Sequence, residues 1–173
     1  NNSYGNNYYS PTSWLDNLFN SSTSGIFNGS NIYDANINVN QNILGSFNNI
    51  NAMGMNTKQN VTGIGNKIEG EGFFSMAQNI LGHYNTASTN SNNAQQTAIG
   101  TNNTLISNGK NANQSAFGQN NTLVANGNNA YQTAFGGDNT LVAHGKNNTQ
   151  ITGSGNDTIT PGRRTVPAGP AND

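Results

Sequence analysis

The chain lacks several features on which small proteins commonly depend for stability or function. It contains no cysteine, which excludes disulfide bonds and thiolate metal sites. Charged residues make up only 8% of the 173 residues and the formal net charge is -1, a balance that predicts no binding surface for nucleic acid. No apolar run approaches the roughly 20 residues of a membrane-spanning helix. We therefore expect neither nucleic acid nor a membrane span.

Large apolar side chains are also scarce. Leu, Ile, Val and Phe together supply 31 residues, whereas asparagine alone supplies 38. This content is too low for a thick globular core, and the charge is too low to indicate disorder. Weakly charged sequence that is rich in Asn and Gln and has only four prolines favours stacked β-strands, because identical amide side chains then form ladders between layers.

A glycine recurs every nine residues through much of the chain, at Gly100, Gly109, Gly118, Gly127, Gly136 and Gly145. Two kinds of unit alternate, the first reading GTNNTLISN and the second GKNANQSAF, so the full repeat has 18 residues. One extra residue enters between Gly72 and Gln78. A repeat of this length cannot bury its own apolar face and must stack on copies of itself. The pattern therefore predicts a solenoid.

The position of each residue within its nine-residue unit predicts which side chains point inward. Positions four, six and eight share one face of a strand, because side chains alternate along it. Glutamine occupies position six of the second kind of unit, at Gln41, Gln59, Gln78, Gln96, Gln114, Gln132 and Gln150. Asparagine occupies position four of the first kind, at Asn48, Asn66, Asn85, Asn103, Asn121 and Asn139. Aliphatic residues occupy position six of the first kind, at Ile32, Ile50, Ile68, Leu105, Leu123, Leu141 and Ile159.

These columns predict an all-β fold, a β-solenoid of about seven 18-residue coils over residues 27–160. Each coil has two short strands joined by tight turns, where Gly at position one and Asn at positions two and three suit a positive φ. The buried amides form ladders in which each donates to the next coil and accepts from the last, so that their polar groups are satisfied.

The two ends of the chain do not carry the repeat. Residues 161–173 form a Pro- and Gly-rich tail. Residues 1–26 form an aromatic segment that either caps the first coil or docks on a neighbouring subunit. The candidate docking residues are Tyr8, Tyr9, Trp14, Leu15, Leu18 and Phe19.

Catalytic and metal-binding patterns are weak. His83 and His144 fall on turns of different coils, and no paired carboxylates or nucleophile–base spacing stands out. The segment 153–160 resembles the calcium-binding nonapeptide of repeats-in-toxin proteins, but that motif needs an Asp in turn after turn, and among the turn positions of this repeat only Asp138 and Asp157 are acidic. A calcium-loaded roll is therefore not expected, and the alternative is one weak calcium site near Asp157. We expect a protein that is not an enzyme and that has no cofactor and no resident metal.

One outward face carries a regular array at positions five and seven of the first kind of unit. Its threonines are Thr104, Thr122, Thr140 and Thr158. Stacking would align them at roughly 4.8 Å. The array and the wording NNTLVANG resemble plant and insect β-solenoid antifreeze proteins, and the resemblance implies an ice-binding face. The alternative is that Thr and Val are simply good strand residues.

A second resemblance concerns the glutamine and asparagine columns. The Gln spacing of 18 residues and stretches such as NGKNANQSAFG and NGNNAYQTAFG are similar to curlins, the subunits of bacterial functional amyloid. Curlin repeats are slightly longer and form two short strands per coil with inward amide ladders. The resemblance implies the architecture and the mode of assembly, in which subunits stack head to tail.

Together these features favour a secreted structural subunit that assembles with itself. Exposed strand edges at each end would make the last coil of one copy a template for the first coil of the next. We expect an extracellular, amyloid-like fibre at the cell surface or in a matrix, serving a biofilm, an appendage or adhesion. The alternatives are an ice-binding solenoid and a solenoid module of an adhesin or phage fibre.

Overall fold

The computed structural model describes residues 2–4, 7–9, 19–153, 155–161 and 166–167, and every regular element in this part of the chain is a β-strand. None of these segments forms a helix with the length and apolarity that a membrane crossing requires. In chain order the strands are β1 Asn2–Tyr4, β2 Asn7–Tyr9, β3 Asn20–Asn28, β4 Asn31–Ala35, β5 Asn38–Leu44, β6 Asn49–Ile64, β7 Lys67–His83, β8 Thr86–Thr89, β9 Gln95–Thr101, β10 Thr104–Ser107, β11 Asn113–Gln119, β12 Thr122–Ala125, β13 Tyr131–Phe135, β14 Thr140–Ala143, β15 Thr149–Thr152, β16 Thr158–Thr160 and β17 Val166–Pro167.

Strands pair in parallel with their counterparts one coil away. Thr104 in β10 lies opposite Thr122 in β12, which lies opposite Thr140 in β14. The second kind of unit behaves in the same way, since Gln96 in β9 lies opposite Gln114 in β11. The predicted all-β solenoid with an 18-residue coil is therefore confirmed.

The solenoid has about eight turns rather than the seven predicted. The additional turn lies at the N-terminal end, where β3 pairs with β5 in the ordinary register and Asn20 faces Asn38. Sequence reasoning missed this turn because β3 carries Thr23 where the later units carry glutamine. Two short strands lie N-terminal to this turn: β1 pairs with β3, and β2 pairs with β4, with Asn7 opposite Asn31.

The extra residue before Gln78 is accommodated at one corner. Gly54 pairs with Gly72 at the usual spacing, but Asn56 pairs with Ser75, one residue further on. A bulge of this kind keeps the inward columns in phase by turning the added residue outward. Accordingly Phe73 is 78% exposed, and the inward pattern resumes after it.

Glycines meet two different requirements in this fold. At position one of the first kind they adopt positive φ, as Gly118 does at 131°, and a Cβ on Gly118 would lie 2.0 Å from the carbonyl oxygen of Gly100. At position one of the second kind no positive φ occurs, yet a Cβ on Gly127 would lie 2.0 Å from the oxygen of Gly109. Position three has φ near 57°, as at Asn102. The prediction of a positive φ is thus wrong for asparagine at position two and for glycine at position one of the second kind. Glycine is needed at the latter position because the backbones of adjacent coils leave no room for a Cβ.

The apolar core is a thin double column that runs along the solenoid. The aliphatic column predicted at position six is buried, apart from half-buried Ile159 in the last turn. It packs in one cluster with position eight of the second kind, where Ile43, Val61, Ile80, Ala98, Ala116 and Ala134 lie. Position four of the second kind is also buried, as the alternation of side chains predicts; its residues, which sequence reasoning did not list, are Val39, Thr57, Met76, Ala94, Ala112 and Ala130.

Candidate assembly interface

The glutamine column forms a continuous hydrogen-bonded ladder inside the solenoid. All seven predicted glutamines are at most 1% exposed. The Nε2 of Gln114 donates to the Oε1 of Gln96 over 2.8 Å, and the Nε2 of Gln132 donates to Gln114 over 2.8 Å. Each glutamine amide thus donates to the preceding coil, which reverses the predicted direction for this column, whereas Asn48 and Asn66 donate to the next coil as predicted. The ladder consequently has a polarity, with a free acceptor at its C-terminal end.

Each glutamine also ties the two strand columns together. The second Nε2 hydrogen of Gln114 reaches the main-chain oxygen of Val124 on the facing strand, at 3.0 Å. Gln59 makes the same contact with Glu69 at 3.0 Å. A buried amide with both hydrogens and its oxygen engaged avoids the 1–3 kcal/mol or so that an unmet polar group costs. The ladder therefore sets the separation of the strands across the core.

A buried carboxylate ends this ladder on the N-terminal side. Asp34 is 2% exposed and accepts hydrogen bonds from Ser21 Oγ at 2.7 Å, Thr23 Oγ1 at 2.6 Å and Gln41 Nε2 at 3.0 Å. Thr23 lies opposite Gln41, where another glutamine would stand if the ladder continued. Asp34 was not predicted as a site residue, although its inward position eight was the available signal. Its carboxylate accepts from Gln41 Nε2, which has no glutamine in the preceding coil to donate to.

The asparagine column forms hydrogen bonds with main-chain groups of the turns. The Oδ1 of Asn121 accepts the main-chain N–H of Asn103 at 3.0 Å, and its Nδ2 donates to the carbonyl of Gly100 at 3.0 Å. The six predicted asparagines are at most 2% exposed. In the last coil Asp157 replaces asparagine and its Oδ1 accepts from the N–H of Asn139 at 2.7 Å. The column therefore satisfies main-chain groups that a tight turn would otherwise bury without partners.

The C-terminal end of the solenoid has buried polar atoms without hydrogen-bond partners. Among the described residues of the last turns these are the acceptors Gln150 Oε1 and Asp157 Oδ2 and the donor Asn148 Nδ2. Gln150 is the last residue of the glutamine ladder, so no further glutamine donates to its oxygen. Such unmet acceptors are uncommon in native proteins. The two ends of the glutamine ladder thus differ, since Asp34 accepts from its first member and no described residue donates to its last oxygen.

The two strands at the same end are covered differently. β15 is paired with β17, which places Pro167 opposite Gln150. Proline lacks a main-chain donor and is typical of sheet edges. β16 pairs with β14 alone among the described strands, so its outer side is an open parallel edge. The open edge thus lies on the column of the first kind of unit.

The outward threonine array is regular in the structure. Thr104, Thr122, Thr140 and Thr158 lie in register, and Thr86 extends the column by one coil. The first three are half-buried and Thr158 is exposed. Ile106, Val124, Val142 and Thr160 form the adjacent column. The predicted array is therefore regular in the structure, and its function stays a prediction.

The predicted docking residues are only partly within the described chain. Trp14, Leu15 and Leu18 lie outside the described residues. The backbone of Tyr8 and Tyr9 belongs to β2, and Phe19 is 52% exposed beside the start of β3. Their docking role stays a prediction.

Groups for catalysis or metal binding do not gather at one place in the described part of the chain. No cluster of three or more His, Asp or Glu side chains occurs there. His83 contacts Thr101 through Nδ1 at 2.7 Å on the surface, and Lys67 pairs with Glu69 at 2.7 Å on the outer face. These are exposed side-chain contacts between neighbours. The expectation of no enzyme and no cofactor stays a prediction.

The stacked coils and their amide ladders define the chain as a parallel β-solenoid. Comparison with protein-family models, curated proteins and solved structures finds no match. The assignment of a function therefore depends on the geometry of the ends and faces.

Proposed function

We propose that the protein is a structural subunit whose copies stack end to end into an extracellular, amyloid-like fibre. The observation that carries this proposal is the C-terminal end of the solenoid. There β17 covers β15, whereas β16 presents an open parallel edge among the described strands. An added coil would supply main-chain donors and acceptors to that edge.

The strands that would meet at the junction belong to the strand column formed by the first kind of unit. β16 is the last strand of this column, and β2 is its outermost strand at the other end. In a fibre, β2 of one copy would therefore continue the column beyond β16 of the copy before it. The low charge of the chain, 8% of residues, offers little repulsion against this contact. The partner in the proposed fibre is a second copy of the same chain.

The proposed junction depends on hydrogen bonds from the main-chain N–H and C=O of Ile159. Thr158 directs its N–H back to the carbonyl of Asn139, at 2.8 Å. Successive residues of a strand point their main-chain groups to opposite sides, so Ile159 directs its N–H and C=O outward. An Ile159→Pro variant removes the outward donor while leaving the Thr158 bond in place. An Ile159→Ala variant loses the same side chain and keeps the donor, so it is the matched control.

Negative-stain electron microscopy of the three proteins tests the proposal. We expect wild type and Ile159→Ala to form thin, unbranched fibres, and Ile159→Pro to remain as short particles. X-ray diffraction from aligned fibres should show a reflection near 4.8 Å along the fibre axis, because strands stack in that direction. Persistent single solenoids of wild type, or equal fibre growth by the proline and alanine variants, would contradict end-to-end stacking.

Ice binding is the second candidate, and the in-register threonine column favours it. If this face binds ice, Thr122→Lys should abolish thermal hysteresis, because a long charged side chain disrupts a flat array of half-buried threonines. Ser115→Lys is the control, since Ser115 is half-buried on an outward position of the other strand column. Thermal hysteresis that is absent in wild type, or equal in the two variants, rejects this candidate.

A further inference from the structure

A stripe of exposed apolar side chains runs along one corner of the solenoid. We call it the corner stripe; its central column consists of Ile26, Leu44, Leu81, Ile99, Phe117 and Phe135, which lie in register with Thr62 as the one polar member. The six apolar side chains are 42–49% exposed. They occupy position nine of the second kind of unit, where the strand ends and the turn begins. The stripe therefore extends over most of the length of the molecule.

Side chains from the adjoining turns widen the corner stripe. Phe47 is 72% exposed, Ile64 is 44% exposed and Tyr84 is 64% exposed, and each follows a member of the central column by two or three residues. Nine side chains of this size, roughly half exposed, leave about 700–900 Å² of apolar surface. The largest apolar patch on a typical monomer measures about 300–600 Å². The corner stripe thus exceeds what scattered surface residues explain.

Charged side chains lie mainly on other faces of the solenoid. Lys67 and Glu69 pair with each other on the outer face of the first strand column. Lys110 and Lys146 occupy the turns at the opposite corner. At the C-terminal end of the stripe the rings of Phe117 and Phe135 stack, with centroids 5.6 Å apart and planes at 18°. This end of the surface is therefore ordered before any partner binds, which lowers the entropic cost of association.

We infer that the corner stripe is a lateral interface with the corner stripe of a second copy of this chain. Its side chains repeat once per coil, at roughly 4.8 Å. A second copy has the same repeat, so the two rows interdigitate over their full length, as facing sheets do in a steric zipper. Two stripes would bury roughly 1,400–1,800 Å² in total, which matches a standard specific interface. A partner without this period would contact the stripe at a few points only.

The lateral contact is independent of end-to-end stacking. It uses the turn positions along the side of the solenoid, whereas the proposed fibre junction uses β16 and β2 at the ends. The dimer therefore forms in a variant that cannot extend, and Ile159→Pro provides that background. This inference goes beyond the proposed function and does not require it.

Disulfide cross-linking is a direct test, because the natural chain contains no cysteine. Leu81 is the middle member of the seven-residue column, so a Leu81→Cys side chain meets its own counterpart whether the two copies run parallel or antiparallel. In the Ile159→Pro background we expect Leu81→Cys to form a covalent dimer under mild oxidation. Phe73→Cys, at the exposed bulge on the opposite corner, is the matched control and should remain monomeric. Equal cross-linking of the two variants overturns the inference.

The orientation follows from two further single-cysteine variants. Phe135→Cys alone cross-links to itself when the copies run parallel and in register. A mixture of Ile26→Cys and Phe135→Cys cross-links between the two variants when the copies run antiparallel. Either pattern supports a contact between stripes, and the absence of both together with the absence of a Leu81→Cys dimer overturns it.

Sedimentation equilibrium provides the non-covalent measurement. The chain has a mass of 18.2 kDa, so a dimer of the Ile159→Pro protein should have twice that mass. The double variant Leu81→Lys/Ile99→Lys should sediment as a monomer, because four like charges would face each other across the interface. Phe73→Lys should leave the dimer intact. A monomeric Ile159→Pro protein, or a dimer that survives the double variant, overturns the inference.

Discussion

The two halves of the solenoid fill the same core in different ways. In the N-terminal half, β3 to β7, position eight of the second kind of unit holds Ile43, Val61 and Ile80. In the C-terminal half, β8 to β16, the same position holds Ala98, Ala116 and Ala134. Position four of that unit likewise changes from Val39, Thr57 and Met76 to Ala94, Ala112 and Ala130. Large side chains in one half therefore correspond to alanine in the other.

The amide columns do not change between the halves. Gln59 donates to Gln41 over 2.9 Å in the N-terminal half, and Gln132 donates to Gln114 over 2.8 Å in the C-terminal half. The contact to the facing strand is also preserved, at 3.0 Å from Gln59 and 3.1 Å from Gln132. Directional hydrogen bonds tolerate little variation in distance, whereas apolar packing accepts different residues when neighbours adjust. The amide ladders therefore determine register and strand separation, and apolar residues fill the remaining space.

The largest expected loss of stability comes from a substitution that disturbs the close approach of backbones in adjacent coils, a feature that both halves share. A Gly118→Ala substitution places a Cβ 2.0 Å from the carbonyl oxygen of Gly100, at a φ of 131° that disfavours side chains. We expect a loss of more than about 3 kcal/mol in the free energy of unfolding, because the atom it meets is backbone. Gly137→Ala is the control, since its Cβ meets nothing within 4 Å. Chemical denaturation of both variants tests this, and similar losses would refute the steric argument.

The next effect tests whether the ladder is equivalent in the two halves. Gln114→Leu leaves Gln96 Oε1 without its donor from the next coil and removes the side-chain acceptor of Gln132 Nε2. We expect this variant and Gln59→Leu to lose about 2–4 kcal/mol each, because buried polar groups lose their partners. Gln95→Leu, at an exposed neighbouring position, should change stability little. Urea unfolding monitored by circular dichroism measures the three; markedly unequal losses for Gln59 and Gln114 would break the equivalence.

An exchange of core residues between the halves should have an intermediate effect. Ala116→Val adds bulk to the C-terminal core, and Val61→Ala leaves a cavity in the N-terminal core. Each should lower stability by about 1–3 kcal/mol, because each half is packed around its own side chains. Ser115→Val, at a half-buried outward position, is the control. Thermal unfolding measures the series, and unchanged stability in both exchange variants would show that the core is loosely packed.

The smallest effect concerns a ladder on the surface. Asn126 Nδ2 donates to Asn108 Oδ1 at 2.6 Å, and Asn108 Nδ2 donates to Asn90 Oδ1 at 2.8 Å, but these side chains are exposed. We expect Asn108→Ala to change stability by no more than about 0.5 kcal/mol, because water replaces the lost partners. A loss as large as that of Gln114→Leu in the same denaturation assay would mean that burial is not what distinguishes the two ladders.

Much of the architecture could be predicted because the 18-residue repeat is visible in the amino-acid sequence. The inward positions of Gln114, Asn121 and Leu123 follow from an 18-residue phase and the alternation of side chains along a strand. The additional turn at β3 was missed because Thr23 replaces glutamine there, so that turn carries no repeat signal. The inward orientation of position four of the second kind follows from the same alternation, but its members were not listed because Thr57, Met76 and Ala112 share no residue type.

The sequence by itself determined the period, the fold class and the identity of the amide columns, since these depend on spacing along the chain. Only the tertiary structure decided the polarity of the glutamine ladder, its end at Asp34 and the open edge at β16. The physical reason is that these features depend on contacts across the core and between coils. Asp34 accepts from Thr23 and Gln41 because coil closure brings three separate strands together. Spacing along the chain specifies that residues stack, and three-dimensional closure specifies which atoms meet.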